Sequence, residues 1–199
     1  MTTQKIKYSQ VFDKFDDWLK NASLDQRIIE PTAMNLATVG LDMMPSNRMV
    51  LLKKYDHLGF CFFTNLNSRK AKEIFLNPKV SLCFYWGVLG RQIRIQGNAK
   101  LVENIEADQY FSTRPRDSQI GAWASHQSSE MNDRSDFEKN IEYFQNKFKD
   151  QQVIRPEFWS GFRVEPILIE FWSEGKFRLH TRELFEKFED GWVTKLLYP

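Results

Sequence analysis

The stretch VSLCFYWGVLGRQIRIQGNAKLV, residues 80–102, decides the fold. Two runs rich in aromatic and β-branched residues, VSLCFYW and RQIRIQGNAKLV, flank a glycine-punctuated break. In the second, Ile93 and Ile95 alternate with Gln92, Arg94 and Gln96, the period of a strand with one apolar face and one polar but non-acidic face. The pattern continues outward: AMNLATV, RMVLLKKY and GFCFFT precede it, and FRVEPILIEFW and KFRLHTR follow. A final pair of strands is expected around residues 185–188 and 192–196, turning at Glu189, Asp190 and Gly191. Helical spacing is confined to VFDKFDDWLKN near the start and to residues 68–76, 105–113 and 133–149, the last carrying Phe137, Ile141, Phe144 and Phe148. These runs predict a mostly β domain, an antiparallel sheet or barrel with helices outside it. No repeat or linker divides the chain, so residues 1–199 are read as one domain.

Composition sets the bounds. With 42% hydrophobic and 27% charged residues, 199 residues suffice for one sizeable core. Lys+Arg 28 against Asp+Glu 26 leaves a net charge of +2, too little to imply nucleic acid or an anionic membrane, so any anion site must be local. No apolar run approaches a membrane span, and MTTQKIKYSQ lacks the features of a signal peptide; a cytoplasmic location is expected. Cys61 and Cys83 sit in strand-like runs and read as free thiols. His57, His126 and His180 are scattered, and no metal site is expected.

Five constellations admit chemistry. SRKAKEIFLNP, residues 68–78, begins like a helix with Ser68 as N-cap yet places Arg69 and Lys70 in the first turn, where the helix dipole favours negative charge. In RMVLLKK, Arg48 and Lys53 bracket an apolar strand and, five residues apart, should face opposite sides; both also suit strand ends reaching solvent. YFSTRPRDSQIGAW spaces Tyr110, Arg114 and Ser118 by four, either a phosphate clamp or a helix end followed by a polar turn. In FRLHTR, strand alternation would align Arg178, His180 and Arg182 on one face, for an anionic or electron-rich ligand or as the charge of a protected edge. The polar face of RQIRIQG suits the edge of a heteroaromatic ring or plain solvent.

Taken in order, RMVLLK, FFTNLNSRKA, RQIRIQG, YFSTRPRDSQIGAW, HQSS, EFW and RLHTR resemble the pyridoxamine 5′-phosphate oxidase family over residues 31–199, with EPTAMNLATV and RPEFWSGFRVEP adding to the match. The resemblance implies a split β-barrel homodimer, with residues from about 155 to 199 serving dimerisation and substrate binding, and FMN at the subunit interface. It implies oxidation of pyridoxamine 5′-phosphate or pyridoxine 5′-phosphate to pyridoxal 5′-phosphate, O2 accepting the electrons, with release of H2O2 and, from the amine, ammonia. Carried over by motif, Arg48, Met49, Val50, Leu51, Leu52, Lys53, Phe63 and Thr64 line the flavin. Arg48, Arg69, Lys70, Gln127 and Ser128 surround its phosphate and ribityl chain, and Gln92, Trp172 and Arg182 also contact it. The resemblance thus names the anion at the head of residues 68–76 as the FMN phosphate. The substrate phosphate falls to Lys53, Tyr110, Arg114 and Ser118. Arg178, Leu179 and His180 contact the substrate, Arg178 and His180 being the catalytic pair that holds its ring against the flavin.

This sequence departs from the family at Phe63, commonly Tyr, at Thr181 after His180, commonly Asp, and at its KLLYP end. It also opens just before its first helix, without the family's basic N-terminal segment, so a more open substrate site with no lid before Ser9 is expected. Two other readings share the residues: a split-barrel FMN reductase using NAD(P)H, and a non-catalytic carrier of FMN or pyridoxal phosphate.

Overall fold

The computed structural model describes residues 4–6, 8–189 and 191–199. In chain order the elements are β1 (Gln4–Ile6), α1 (Tyr8–Leu24), β2 (Ala33–Val39), β3 (Pro45–Leu51), β4 (Lys54–Asp56), β5 (Gly59–Asn65), α2 (Arg69–Leu76), β6 (Lys79–Trp86) and β7 (Arg91–Leu101). Three helices follow, α3 (Asn104–Ser112), α4 (Arg116–Ala124) and α5 (Arg134–Lys147), then β8 (Trp159–Ser173), β9 (Thr181–Phe188) and β10 (Gly191–Leu197).

Alternation along the chain becomes pairing. β6 and β7 run antiparallel with Leu82 opposite Ile95 and Tyr85 opposite Gln92, so Val80, Leu82, Phe84, Trp86, Ile93 and Ile95 bury one face. The sheet runs β1-β10-β9-β8-β7-β6-β2-β3, with β5 pairing β8 and β4. The fifteen-residue β8 changes partner along its length: Trp159 to Val164 face β5, whereas Leu168 to Ser173 face β9. A register shift against β7 between Gln96 and Gly97 marks the change. Only glycine fits there, because a Cβ on Gly97 would lie 2.2 Å from the Glu165 carbonyl oxygen. The bend lets one strand serve two sides of a split barrel.

Helix α1 closes the barrel with its apolar stripe. Phe15 meets Phe60 and Phe84 edge-on at 4.8 and 5.4 Å, and Trp18 meets Phe171 at 5.1 Å. A second cluster, Phe111, Ile120, Phe148, Val153 and Trp159, forms under α3, α4 and α5.

Sequence reasoning anticipated the other four helices but placed none directly after Arg114 and Pro115, where Arg116–Ala124 is helical. Helix α4 lacks a strong apolar stripe and owes its place to tertiary contacts: Ile120 is buried, and the Gln119 side chain donates to the Phe111 carbonyl at 2.9 Å. A second correction concerns FRLHTR. Residues 176–178 form a 3-10 turn, Phe177 and Arg178 take φ of 58° and 66°, and β9 begins only at Thr181. The chain doubles back so tightly that a Cβ on Gly175 would lie 1.9 Å from the Leu179 carbonyl oxygen. Arg178, His180 and Arg182 therefore do not share a strand face. Among the described residues no helix is long and apolar enough to cross a membrane, and the cysteines are free.

Candidate active site

Strands β3 and β5, the start of α2 and helices α3 and α4 enclose a cavity of about 540 Å³. β3 supplies Met49, Val50 and Leu51, β5 supplies Phe63, Thr64 and Asn65, and Lys53 enters from just beyond β3. A second pocket of about 390 Å³, lined by Ser46, Arg48, Arg69 and Ser128, shares Met49, Lys70 and Gln127 with the first. Arg48 and Lys53 thus serve adjoining pockets of one protomer, because β3 ends at Leu51 and frees Lys53 from its alternation. Leu52 lines neither pocket; it is buried in the barrel core.

At the head of α2 the Ser68 side chain does not cap the helix. Its Oγ donates to the Asn65 carbonyl at 2.6 Å and accepts from Lys70 Nζ at 3.1 Å. Lys70 is only 8% exposed and donates also to Thr64 Oγ1 at 3.1 Å and Gln127 Oε1 at 2.9 Å. All three acceptors are neutral. Burial, with the nearby Arg48 charge adding to it, pushes the Lys70 amine down to about 8. The arginines differ: Arg69 Nε donates to Glu73 Oε1 at 2.7 Å, and Arg48 Nη2 reaches Glu73 Oε2 at 3.4 Å.

The first cavity is lined also by Tyr110, Arg114 and Ser118, the middle residue in the break between α3 and α4. The Arg114 guanidinium lies 4.6 Å from the Trp159 ring centre, and its Nη1 is buried without a hydrogen-bond partner. Burial lowers its pKa, as it raises that of the Tyr110 hydroxyl. Phe63, Tyr110 and Trp159 form a nearly parallel stack, with Phe63 4.1 Å from Tyr110 and 5.5 Å from Trp159. An orphaned guanidinium N–H over an aromatic wall, with two hydroxyl-bearing side chains and Lys53 on the same cavity, is a donor set for an anion attached to a flat ring.

The remaining expected residues lie elsewhere on the protomer. Gln92, Trp172 and Arg182 form a cross-strand row over β7, β8 and β9. Arg182 is bound to the buried Glu170 at 2.9 Å, and Arg94 reaches the same carboxylate at 3.2 Å. Acidic charge thus faces Arg182. Arg178 and Leu179 are exposed on the loop before β9, and His180 accepts from the Gly175 N–H at Nδ1 (3.2 Å) with its ring 4.6 Å from Trp172. None of these six lines the cavity of its own protomer. Sequence reasoning assigned no role to Glu73, Asn65, Ser125 or Trp159; Trp159 stands in RPEFWSGFRVEP, but nothing in such a stretch tells which ring faces a cavity.

A family model described as pyridoxamine 5′-phosphate oxidase matches residues 21–148. A protein of Zymomonas mobilis named pyridoxine/pyridoxamine 5′-phosphate oxidase is 47% identical over 190 residues, 96% of this chain and 97% of that one. The chain belongs to the pyridoxamine 5′-phosphate oxidase family. A second model, described as the pyridoxine 5′-phosphate oxidase C-terminal dimerisation region, matches residues 159–199. A similarly named protein of Wolbachia pipientis is 48% identical, covering 94% of this chain and 87% of its own. Among solved structures, PhzG from Burkholderia lata in complex with tetrahydrophenazine-1-carboxylic acid superposes with a TM-score of 0.89 at 32% identity, covering 94% of this chain and 92% of that one. The split barrel and its C-terminal strands are those of this oxidase family.

Proposed function

We propose that the protein is a single-domain, homodimeric oxidase of the cytoplasm that binds FMN and converts pyridoxamine 5′-phosphate or pyridoxine 5′-phosphate to pyridoxal 5′-phosphate. The observation that carries the reading is the pairing of two cation-lined pockets that share a wall, one with the buried Lys70 amine facing only neutral acceptors and the other with the orphaned Arg114 Nη1. Each site suits a phosphate, and cofactor and substrate have one each. Arg48, Arg69, Lys70, Gln127 and Ser128 hold the FMN phosphate, together with the N–H groups at the head of α2, which no side chain caps. Lys53, Tyr110, Arg114 and Ser118 hold the substrate phosphate.

FMN, when bound, would supply the two-electron redox chemistry at the substrate's C4′ carbon, with O2 as the final acceptor and H2O2 as its product. The chain's own work is positional. Its two phosphate sites fix both ends of the reacting pair, and the wall of Phe63, Tyr110 and Trp159 limits how a flat ring can lie. Gln92, Trp172 and Arg182, with Arg178, Leu179 and His180, complete the site from the second protomer, consistent with their place outside the cavity of their own.

The Burkholderia lata structure carries a tricyclic carboxylate, which makes an unphosphorylated ring acid the second reading. The cluster around Arg114 favours a phosphate. Purified protein is expected to be yellow, to release FMN on denaturation and to form pyridoxal 5′-phosphate from both substrates while consuming O2. Turnover with NAD(P)H but neither B6 phosphate would replace the oxidase by a reductase, and FMN binding without any turnover would leave a carrier.

A further inference from the structure

Glu73 is a carboxylate where an anion site should not want one. It is 7% exposed, lies on α2 one turn after Arg69, and accepts from Thr38 Oγ1 at 2.5 Å, Ser46 Oγ at 2.6 Å, Arg69 Nε at 2.7 Å and Arg48 Nη2 at 3.4 Å. Helix stability does not account for it, because a cation placed N-terminal to its carboxylate partner is the weaker order for an i,i+4 pair, and Arg69 is largely exposed. Nor does core packing, since a buried carboxylate is costly unless several donors satisfy it.

We infer that Glu73 is a positioning residue, a buried strut that holds Arg48 and Arg69 in the geometry that receives a phosphomonoester. Arg48 is fixed a second time by Ser46 Oγ at 2.7 Å and by Thr38 Oγ1, the two hydroxyls that also donate to Glu73, so carboxylate, hydroxyls and guanidinium form one closed network. Lys70 stays outside it, with no carboxylate among its partners. The arrangement also sets charge: Arg48, Arg69 and Lys70 line the pocket and Glu73 offsets one of them, leaving two positive charges to match a phosphomonoester that carries about −1.5 to −2 at neutral pH. Although burial opposes ionisation, hydrogen bonds from Ser46, Thr38 and Arg69 hold Glu73 down to about 2, so the strut stays charged throughout the physiological range.

The inference rests on the FMN reading of this pocket, and the test separates the two. Dissociation constants for FMN and for riboflavin, which lacks the phosphate, are measured on wild type, Glu73→Gln, Glu73→Asp, Arg69→Ala and the Glu73→Gln/Arg69→Ala double variant. Glu73→Gln is expected to weaken FMN about tenfold, leave riboflavin unchanged, and lose much of its effect when Arg69 is already absent. Glu73→Asp, which keeps the charge one methylene short of Arg69, is expected to fall between wild type and Gln. Equal or tighter FMN binding by Glu73→Gln marks the carboxylate as a mere competitor of the phosphate and overturns the inference, as does an equal loss of riboflavin. Should the Gln variant not fold, Asp decides, and wild-type FMN affinity there overturns it. Wild-type protein that binds neither flavin removes the FMN reading itself.

Discussion

Lys70 shows how a single residue is held against its own stability. The amine titrates near 8 in the folded chain against about 10.4 when unfolded. Below pH 8 both states are protonated and the folded state bears the full burial penalty; between pH 8 and 10 the unfolded chain binds more protons, so stability rises with pH. Relative to Lys70→Met, flavin-free wild type is therefore expected to gain stability in urea unfolding between pH 7 and pH 9.5, and the variant is expected to bind FMN more weakly by about 1.5–3 kcal/mol. Parallel pH curves for the two proteins would contradict a buried charged amine. Arg114 is proposed to hold the other phosphate: Arg114→Ala should raise KM for both B6 phosphates and leave FMN bound, and equal loss of flavin would merge the two sites into one.

The elements show where pattern reading holds and where it fails. β6 and β7 were legible because strict alternation over VSLCFYW and RQIRIQG has one solution, a strand with one buried face. α4 was not, since its apolar residues make no stripe and its fixed points, Ile120 and Gln119, are tertiary contacts. The loop before β9 misled for a different reason: KFRLHTR alternates like a strand, but Gly175 lets the backbone close on Leu179, a contact six-residue periodicity does not encode. Where the fold does depend on a glycine, the bulge at Gly97, Gly97→Ala is expected to cost about 1–3 kcal/mol in chemical unfolding because its Cβ meets backbone rather than a movable side chain. A neutral substitution would show that β8 bends without that close approach.

The whole molecule bears on catalysis through its symmetry. One protomer contains the pocket around Lys70 and the cluster around Arg114, while Gln92, Trp172 and Arg182 stand in a row on β7–β9 and Arg178 and His180 on the loop beside it. If the second group serves the partner's cavity, two separately impaired variants, Arg114→Ala and Arg178→Met, should complement each other. Unfolded together and refolded as a mixture, they should recover about a quarter of wild-type turnover, because about half the dimers are mixed and each of these has one intact site. No recovery would show that one protomer supplies both residues to each site.

Local periodicity and side-chain chemistry made legible in the sequence the β class, the helices at both flanks of the sheet, the order of the motifs and the residue types suited to phosphate. Only the tertiary structure decided which residues meet. It assigned Arg48 and Arg69 to Glu73, left Lys70 among neutral oxygens, set the Arg114 guanidinium over Trp159, and took Arg178 and His180 off the strand. The physical reason is that partners 25 to 45 residues apart, such as Glu73 with Arg48 or Arg114 with Trp159, are selected by barrel closure and desolvation, neither of which leaves a periodic trace in the chain.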